Sequence, residues 1–301
     1  MMKWKNIIGL ACCTMVFFSG FAIHSNVSLY FNISGLLIVL GGTFGATLIS
    51  YRLERVRIAI AVLWSSYRTP IIQPEKIVEI LVDLSVKSRF RGILSLEEEE
   101  KTSILFLRRA LGCLVDGLKR DQIRDILNTE MYFFKMRRED SERVMRTLAD
   151  LFPSFGLVGS VVGLIAMLTG VGDTTVILRT IPIALTSTLY GIIFSNFFFI
   201  PFAANLRERT DQELLLQKII TEGVIAIESE VDPRVLERKL KSFLTPSLRK
   251  GRLVSLRRIQ ERFDIQPEKK KNEVESKSEF EMKSESAGAE KPGAKKAGAG
   301  R

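Results

Sequence analysis

LFPSFGLVGSVVGLIAMLTGVG, the stretch from Leu151 to Gly172, carries no formal charge. A charged side chain at the bilayer centre costs about 2.5–3.5 kcal/mol on insertion scales, and a spanning helix needs roughly 20 residues, so such a run reads as a membrane span. The same test selects Thr180–Leu206, also uncharged. It selects Asn6–Tyr51 as well, where His24 is the one group that titrates near neutrality. That run is too long for one helix and suits two, joined at Ile23–Tyr30, where His24, Ser25, Asn26 and Ser28 interrupt the apolar pattern. The expected spans are about 6–23, 30–50, 152–171 and 180–203.

Lys3 and Lys5 ahead of the first apolar stretch also fit a secretory signal. A second uncharged segment follows at once, which favours a hairpin of two spans. Cys12 and Cys13 lack a lipoprotein context, and with Cys113 they show no metal or disulfide spacing. Lysine and arginine placement sets the expected orientation. Lys3, Lys5, Arg52, Arg55, Arg57, Arg143, Arg146, Arg207 and Arg209 flank one set of span ends, whereas the opposite loops carry His24, Asp173 and Arg179. Positive-inside bias then places both termini and residues 51–150 in the cytoplasm. The net charge of +10 comes from these clusters and the tail. Its mixed signs argue against a nucleic-acid partner, whereas the basic run 291–301 suits either a contact with anionic membrane lipid or a partner, or a bland solvated tail.

The sequence therefore predicts an all-α membrane protein, with four transmembrane helices and a helical cytoplasmic domain between the second and third. The expected divisions are 1–51 (first hairpin), 52–150 (cytoplasmic helices), 151–206 (second hairpin), 207–263 (C-terminal cytoplasmic helices) and 264–301. In 52–150, Thr69-Pro70 and Gln73-Pro74 should break the chain ahead of an amphipathic helix bearing Ile77, Ile80, Leu81 and Leu84. Asp116-Gly117 should turn it, and 128–150 should run as helix straight into the third span. Glu97 to Glu100 suit a solvated face or a helix N-terminus. Pro233 and Pro246 should bound the last helices. From about Asp264 onward Lys, Glu, Ser, Ala and Gly dominate, a composition too polar to fold by itself.

The third span sets Pro153, Gly156, Gly159, Ser160 and Gly163 among large aliphatics, with Gly159 and Gly163 in a G-x-x-x-G pair. The fourth places Ala184, Thr188, Gly191 and Ser195 on one face, with Thr186 and Ser187 nearby and Pro182 and Pro201 expected at its ends. Two readings stay open. Small and hydroxyl residues let membrane helices pack closely. Alternatively Ser160, Thr186, Ser187 and Thr188 line a hydrated seam whose oxygens suit a hard cation or a water file. No Asp, Glu, Lys or His lies within any expected span, so a conducting path must borrow its carboxylate from another chain. There is no phosphate-binding loop, zinc motif, nucleophile elbow or catalytic histidine, so an enzyme has no support and no cofactor or metal is expected.

Several segments in order carry a resemblance. Gly41-Gly42-Thr43-Phe44-Gly45-Ala46-Thr47-Leu48-Ile49-Ser50, Pro153 to Gly163, and Ala184-Leu185-Thr186-Ser187-Thr188-Leu189-Tyr190-Gly191 with Pro201 and Leu206-Arg207-Glu208-Arg209 resemble the MotA/PomA flagellar stator family. That family sits within the MotA/TolQ/ExbB proton channel superfamily. Arg89-Phe90-Arg91-Gly92-Ile93-Leu94-Ser95-Leu96-Glu97 is similar to the family's cytoplasmic stretch.

The resemblance implies a homo-oligomer, a pentamer in that family, around a single-span MotB or PomB partner. That partner supplies the membrane aspartate and binds peptidoglycan. It also implies that ion flow drives torque on the rotor protein FliG through Arg89 and Glu97. Thr188 would line the pore, Pro153 and Pro201 would mark the cytoplasmic helix ends, and Gly156, Gly159, Gly163 and Gly191 would serve packing and gating. Ser160 departs from the threonine of sodium-driven members and the alanine of proton-driven ones, so the transported ion is H+ or Na+. Arg91 departs from an acidic or polar residue. An ExbB/TolQ-type energiser shares the last two spans but resembles a three-span layout. A non-conducting scaffold would need only the packing residues.

Overall fold

A computed structural model describes residues 12–17, 19–20, 30–70, 72–101, 104–169 and 171–246. Every regular element among them is helical. In chain order the long elements are α1 (Ile33–Ser50), α2 (Leu53–Arg68), α3 (Pro74–Arg91), a 3-10 helix (Ile93–Lys101), α4 (Leu105–Val115), α5 (Arg120–Thr169), α6 (Thr174–Ile193), α7 (Ile200–Glu228) and α8 (Pro233–Lys241). One turn of π-helix, Phe194–Phe199, joins α6 to α7. Of the expected first span only 12–17 and 19–20 are described, and they are helical. The connector before Tyr30 and residues 247–301 lie outside the described residues.

Among the described residues, three helices are long and apolar enough to cross a membrane: Ile33–Ser50, Arg120–Thr169 and the continuous Thr174–Glu228. α1 starts where the Asn32 side chain accepts the Gly35 N–H at 3.1 Å, satisfying one of the donors a helix N-terminus leaves unpaired. α2 ends at Arg68 and α3 opens on Pro74, as the prolines predict. Gly117, at φ +73, makes the turn before α5.

α5 is a single helix of 50 residues. Its buried positions recur at three and four: Ser141, Val144, Met145, Leu148, Phe152, Gly156, Gly159 and Gly163. One face thus continues from charged stalk to apolar span without a break. The stalk is cross-braced where Arg138 donates to both carboxylate oxygens of Glu213 on α7, at 3.1 and 2.9 Å.

The fourth apolar segment begins earlier than the sequence predicts. Gly172, at φ +107, turns the chain, and Asp173 caps α6 by accepting the Thr175 N–H at 2.9 Å. Pro182 therefore lies inside the helix, not at its start. The π turn has a packing cause. Phe152 of α5 meets Phe194 at 5.2 Å and Phe199 at 4.8 Å between ring centroids. Residues five apart on an α-helix point about 140° apart, whereas an i→i+5 turn brings them to one side. The Ile200 N–H accordingly bonds Ser195 O.

The chain divides into two compact units, one within Met1–Ile77 and Lys119–Glu222, the other within Val78–Leu118 and Gly223–Arg301. The first has a core of Val39, Val56, Ala59, Met145, Leu148 and Phe152, walled by Phe194 and Phe199. In the second, the α3 segment Leu81–Ser88 is buried along its whole length, and Gly223 lies directly under Leu81. Leu96, Leu107, Leu111, Leu236 and Leu240 complete that core.

Candidate functional site

The site is built on the crossing of α5 and α6, and glycine makes the crossing possible. A Cβ at Gly163 would stand 2.7 Å from Ala184 N, and one at Gly191 would stand 2.5 Å from Phe152 O. A Cβ at Gly156 would come within 3.1 Å of Ser187 O, and one at Gly159 within 2.5 Å of Ser187 Cβ. All four glycines singled out in the sequence therefore sit where the two helices touch backbone to backbone or nearly so. In lipid, close packing of this kind drives helix association.

The seam brings Ser160 and Thr188 together. Their hydroxyls are hydrogen-bonded to each other, Ser160 Oγ also donates towards Ala184 O, and Thr188 Oγ1 lies 3.5 Å from Gly156 O. Both side chains are part-buried. Thr186 and Ser187 face elsewhere. Thr186 Oγ1 donates to Pro182 O at 2.6 Å and Ser187 Oγ to Ile183 O at 2.7 Å, and both residues are buried. Ser187 is wedged between α5 and α1, because a Cβ at Gly35 would lie 2.6 Å from Ser187 Oγ. The four hydroxyls thus split into a pair in the α5–α6 seam and a pair turned towards α1. Hydroxyls can donate and accept, so the Ser160–Thr188 pair can replace part of the hydration of a cation or hand on a water file. It cannot hold a proton of its own near neutral pH, and no group of three or more His, Cys, Asp or Glu placed to hold a metal ion occurs among the described residues.

Pro153 lies inside α5 and Pro201 in the first turn of α7. In the second unit, Arg89 Nη1 pairs with Asp232 Oδ2 at 3.2 Å, both about half exposed, and Glu97 is exposed on the 3-10 helix. Asp232 also caps α8, accepting the Arg234 N–H at 2.9 Å. That backbone bond, and secondarily the Arg89 guanidinium, holds its carboxyl below the usual carboxylate range.

Sequence reasoning missed Gly35 and Phe155. The Phe155 ring occupies the space a Cβ at Gly42 would take. It also missed Tyr190, whose hydroxyl accepts the Asn32 N–H at 2.7 Å and donates to Tyr30 O. Spacing gave one clue: Gly35 and Gly42 are seven apart, and so share a helix face.

Comparison with known proteins places the chain in a family. Residues 98–219 match the model of the MotA/TolQ/ExbB proton channel family. Chemotaxis protein PomA of Vibrio alginolyticus is 31% identical over 224 residues, covering 74% of this chain and 88% of PomA. The chain belongs to the MotA/TolQ/ExbB proton channel family. Motility protein A of Borreliella burgdorferi is 32% identical over 223 residues, 74% of this chain and 86% of that protein. Among solved structures, the flagellar MotAB stator complex from Bacillus subtilis superposes with a TM-score of 0.74 at 25% identity, covering 80% of this chain and 96% of that one. C. jejuni MotAB gives 0.75 at 23% identity, covering 84% and 99%, and attests the fold.

Proposed function

We propose that the chain is a flagellar motor stator subunit that forms an ion channel with a single-span MotB-type partner and converts ion flow into torque. The observation that carries the reading is the Ser160–Thr188 pair, part-buried in a glycine-tight α5–α6 seam that has hydroxyls but no carboxylate. Such a seam is half of a path, since moving a proton, or neutralising a cation in lipid, needs an acid from a second chain. Relatives named PomA and motility protein A, and neighbours solved as MotAB, support that partner and a ring of several copies, with five as the family expectation.

In this reading the chain crosses the inner membrane four times, with 6–23 as the remaining span and both termini in the cytoplasm. Residues 52–150 and 207–263 form the cytoplasmic part. Arg89 and Glu97 meet the rotor protein FliG. Thr186 and Ser187 support the path from behind, and Pro153 and Pro201 mark its cytoplasmic end. The transported ion is H+ or Na+.

The test is swimming speed in cells whose only copy is this gene, measured as sodium is withdrawn at fixed pH, with and without a proton uncoupler. Speed should collapse in one arm and name the ion. Cells that swim unchanged in both arms would refute ion-driven torque through this chain.

A further inference from the structure

The Tyr190 hydroxyl makes two bonds to the backbone just ahead of α1. It accepts the Asn32 N–H at 2.7 Å and donates to the Tyr30 carbonyl. Asn32 is the residue before the first turn of α1, and its side chain is committed to the Gly35 N–H. The start of α1 lies alongside the ion-path helices, not beyond their ends. Gly35 faces Ser187, Ser187 faces Gly159, and α5 continues for ten residues past Gly159 to Thr169. Within a bilayer a backbone polar group is satisfied by protein rather than by water, and a side chain from a neighbouring helix can do this. A tyrosine on α6 suits this, since long helical side chains lean back towards the helix N-terminus.

The bonds fix more than a cap. Gly35 fits against Ser187 because it has no Cβ, and a one-residue slip of α1 would bring Ser34 or Leu36 to the same notch. Ser187 adjoins Thr188, whose hydroxyl completes the pair with Ser160. The axial position of α1, the seat of Ser187 and the aim of Thr188 are therefore mechanically linked. The geometry points to Tyr190 as a positioning residue of the ion path: its hydroxyl pins the start of α1 to α6 and thereby holds the Ser160–Thr188 pair in register. This rests on the stator reading above.

The test is swimming speed against concentration of the driving ion, with the chromosomal copy replaced and membrane amount measured in parallel. Tyr190→Phe keeps the ring and loses both bonds, and should raise the half-saturating ion concentration by about threefold to tenfold, the worth of one net hydrogen bond. Gly35→Ala, which pushes α1 off Ser187 while leaving Tyr190 intact, should shift it the same way. Asn32→Ala removes the cap to Gly35 but neither Tyr190 bond, and should leave half-saturation in place. A Tyr190→Phe protein whose speed falls only in proportion to its membrane amount, with half-saturation unmoved, would overturn the proposal, as would an Asn32→Ala shift of equal size. If Tyr190→Phe does not accumulate, Gly35→Ala decides, and unmoved half-saturation there overturns it too. Failure of the wild-type gene to restore swimming would instead count against the stator reading itself.

Discussion

Gly191→Ala puts one methyl group into the α5–α6 seam, and the structure says what it meets. The new Cβ would lie 2.5 Å from Phe152 O, 3.1 Å from Gly156 Cα and 3.2 Å from the Phe152 carbonyl carbon. All three are backbone atoms, so no rotamer change relieves the clash. Ordinary contact begins near 3.4 Å, so the helices must part locally by about 0.9 Å, the difference between 3.4 and 2.5. A gap of 0.5–1 Å forfeits roughly a quarter to a half of the dispersion attraction between facing atoms, and overpacking a tight core costs about 1–3 kcal/mol. Gly191 is three residues beyond Thr188, so the same parting stretches the Ser160–Thr188 contact. Gly45→Ala is the matched control, because nothing lies within 4 Å of a Cβ there. Both changes gain the same helix propensity, so their difference isolates the clash. The assay is thermal unfolding of the detergent-solubilised complex together with swimming speed. Gly191→Ala should be less stable than Gly45→Ala by about 1–3 kcal/mol and should swim poorly. Equal stability and equal swimming would refute the claim that this seam is packed to its limit.

Other expectations can be checked alongside. Gly159→Ala drives a methyl into the Ser187 side chain, and Ser187→Gly empties that space, so the double variant should recover most of the lost stability in a double-mutant cycle. Arg89→Glu with Glu97→Lys should impair swimming while leaving ion leakage unchanged, because the Arg89–Asp232 pair is half exposed and solvent-screened, so its loss leaves the fold largely intact. Unaltered torque in that double variant would argue against a rotor contact there. The Asp232 carboxyl is held below its ordinary pKa, so its stabilising contribution is present above roughly pH 4 and is lost as the pH falls through the lower folded value. The stability gap between wild type and Asp232→Asn should therefore shrink as the pH falls below about 4, measured as the difference in melting temperature.

The parts of the fold legible in the sequence were those that depend on one helix at a time. Charge-free length found α1, the apolar half of α5 and the α6–α7 segment, and proline and glycine placement found the breaks at 69–74 and 116–117. The run of α5 from stalk into span followed from uninterrupted three-and-four periodicity. What was not legible depends on two helices meeting. Thr186, Ser187 and Thr188 are consecutive, so each points about 100° from the next, and only the crossing decides that Thr188 turns to Ser160 while Ser187 turns to Gly35. The π turn depends on Phe152, more than forty residues away in sequence, being clamped by Phe194 and Phe199. Pro182 suggested a helix start, but Gly172 and the Asp173 cap set the start a full two turns earlier.

Thr188 itself gives the most direct measurement. In a strain lacking the native gene, rotation of tethered cells should be restored by wild type and by Thr188→Ser, which keeps the hydroxyl. Thr188→Val, nearly the same shape without it, should leave cells paralysed with normal amounts of protein in the membrane. Cells that rotate at wild-type speed with valine at that position would contradict an ion path through the α5–α6 hydroxyls.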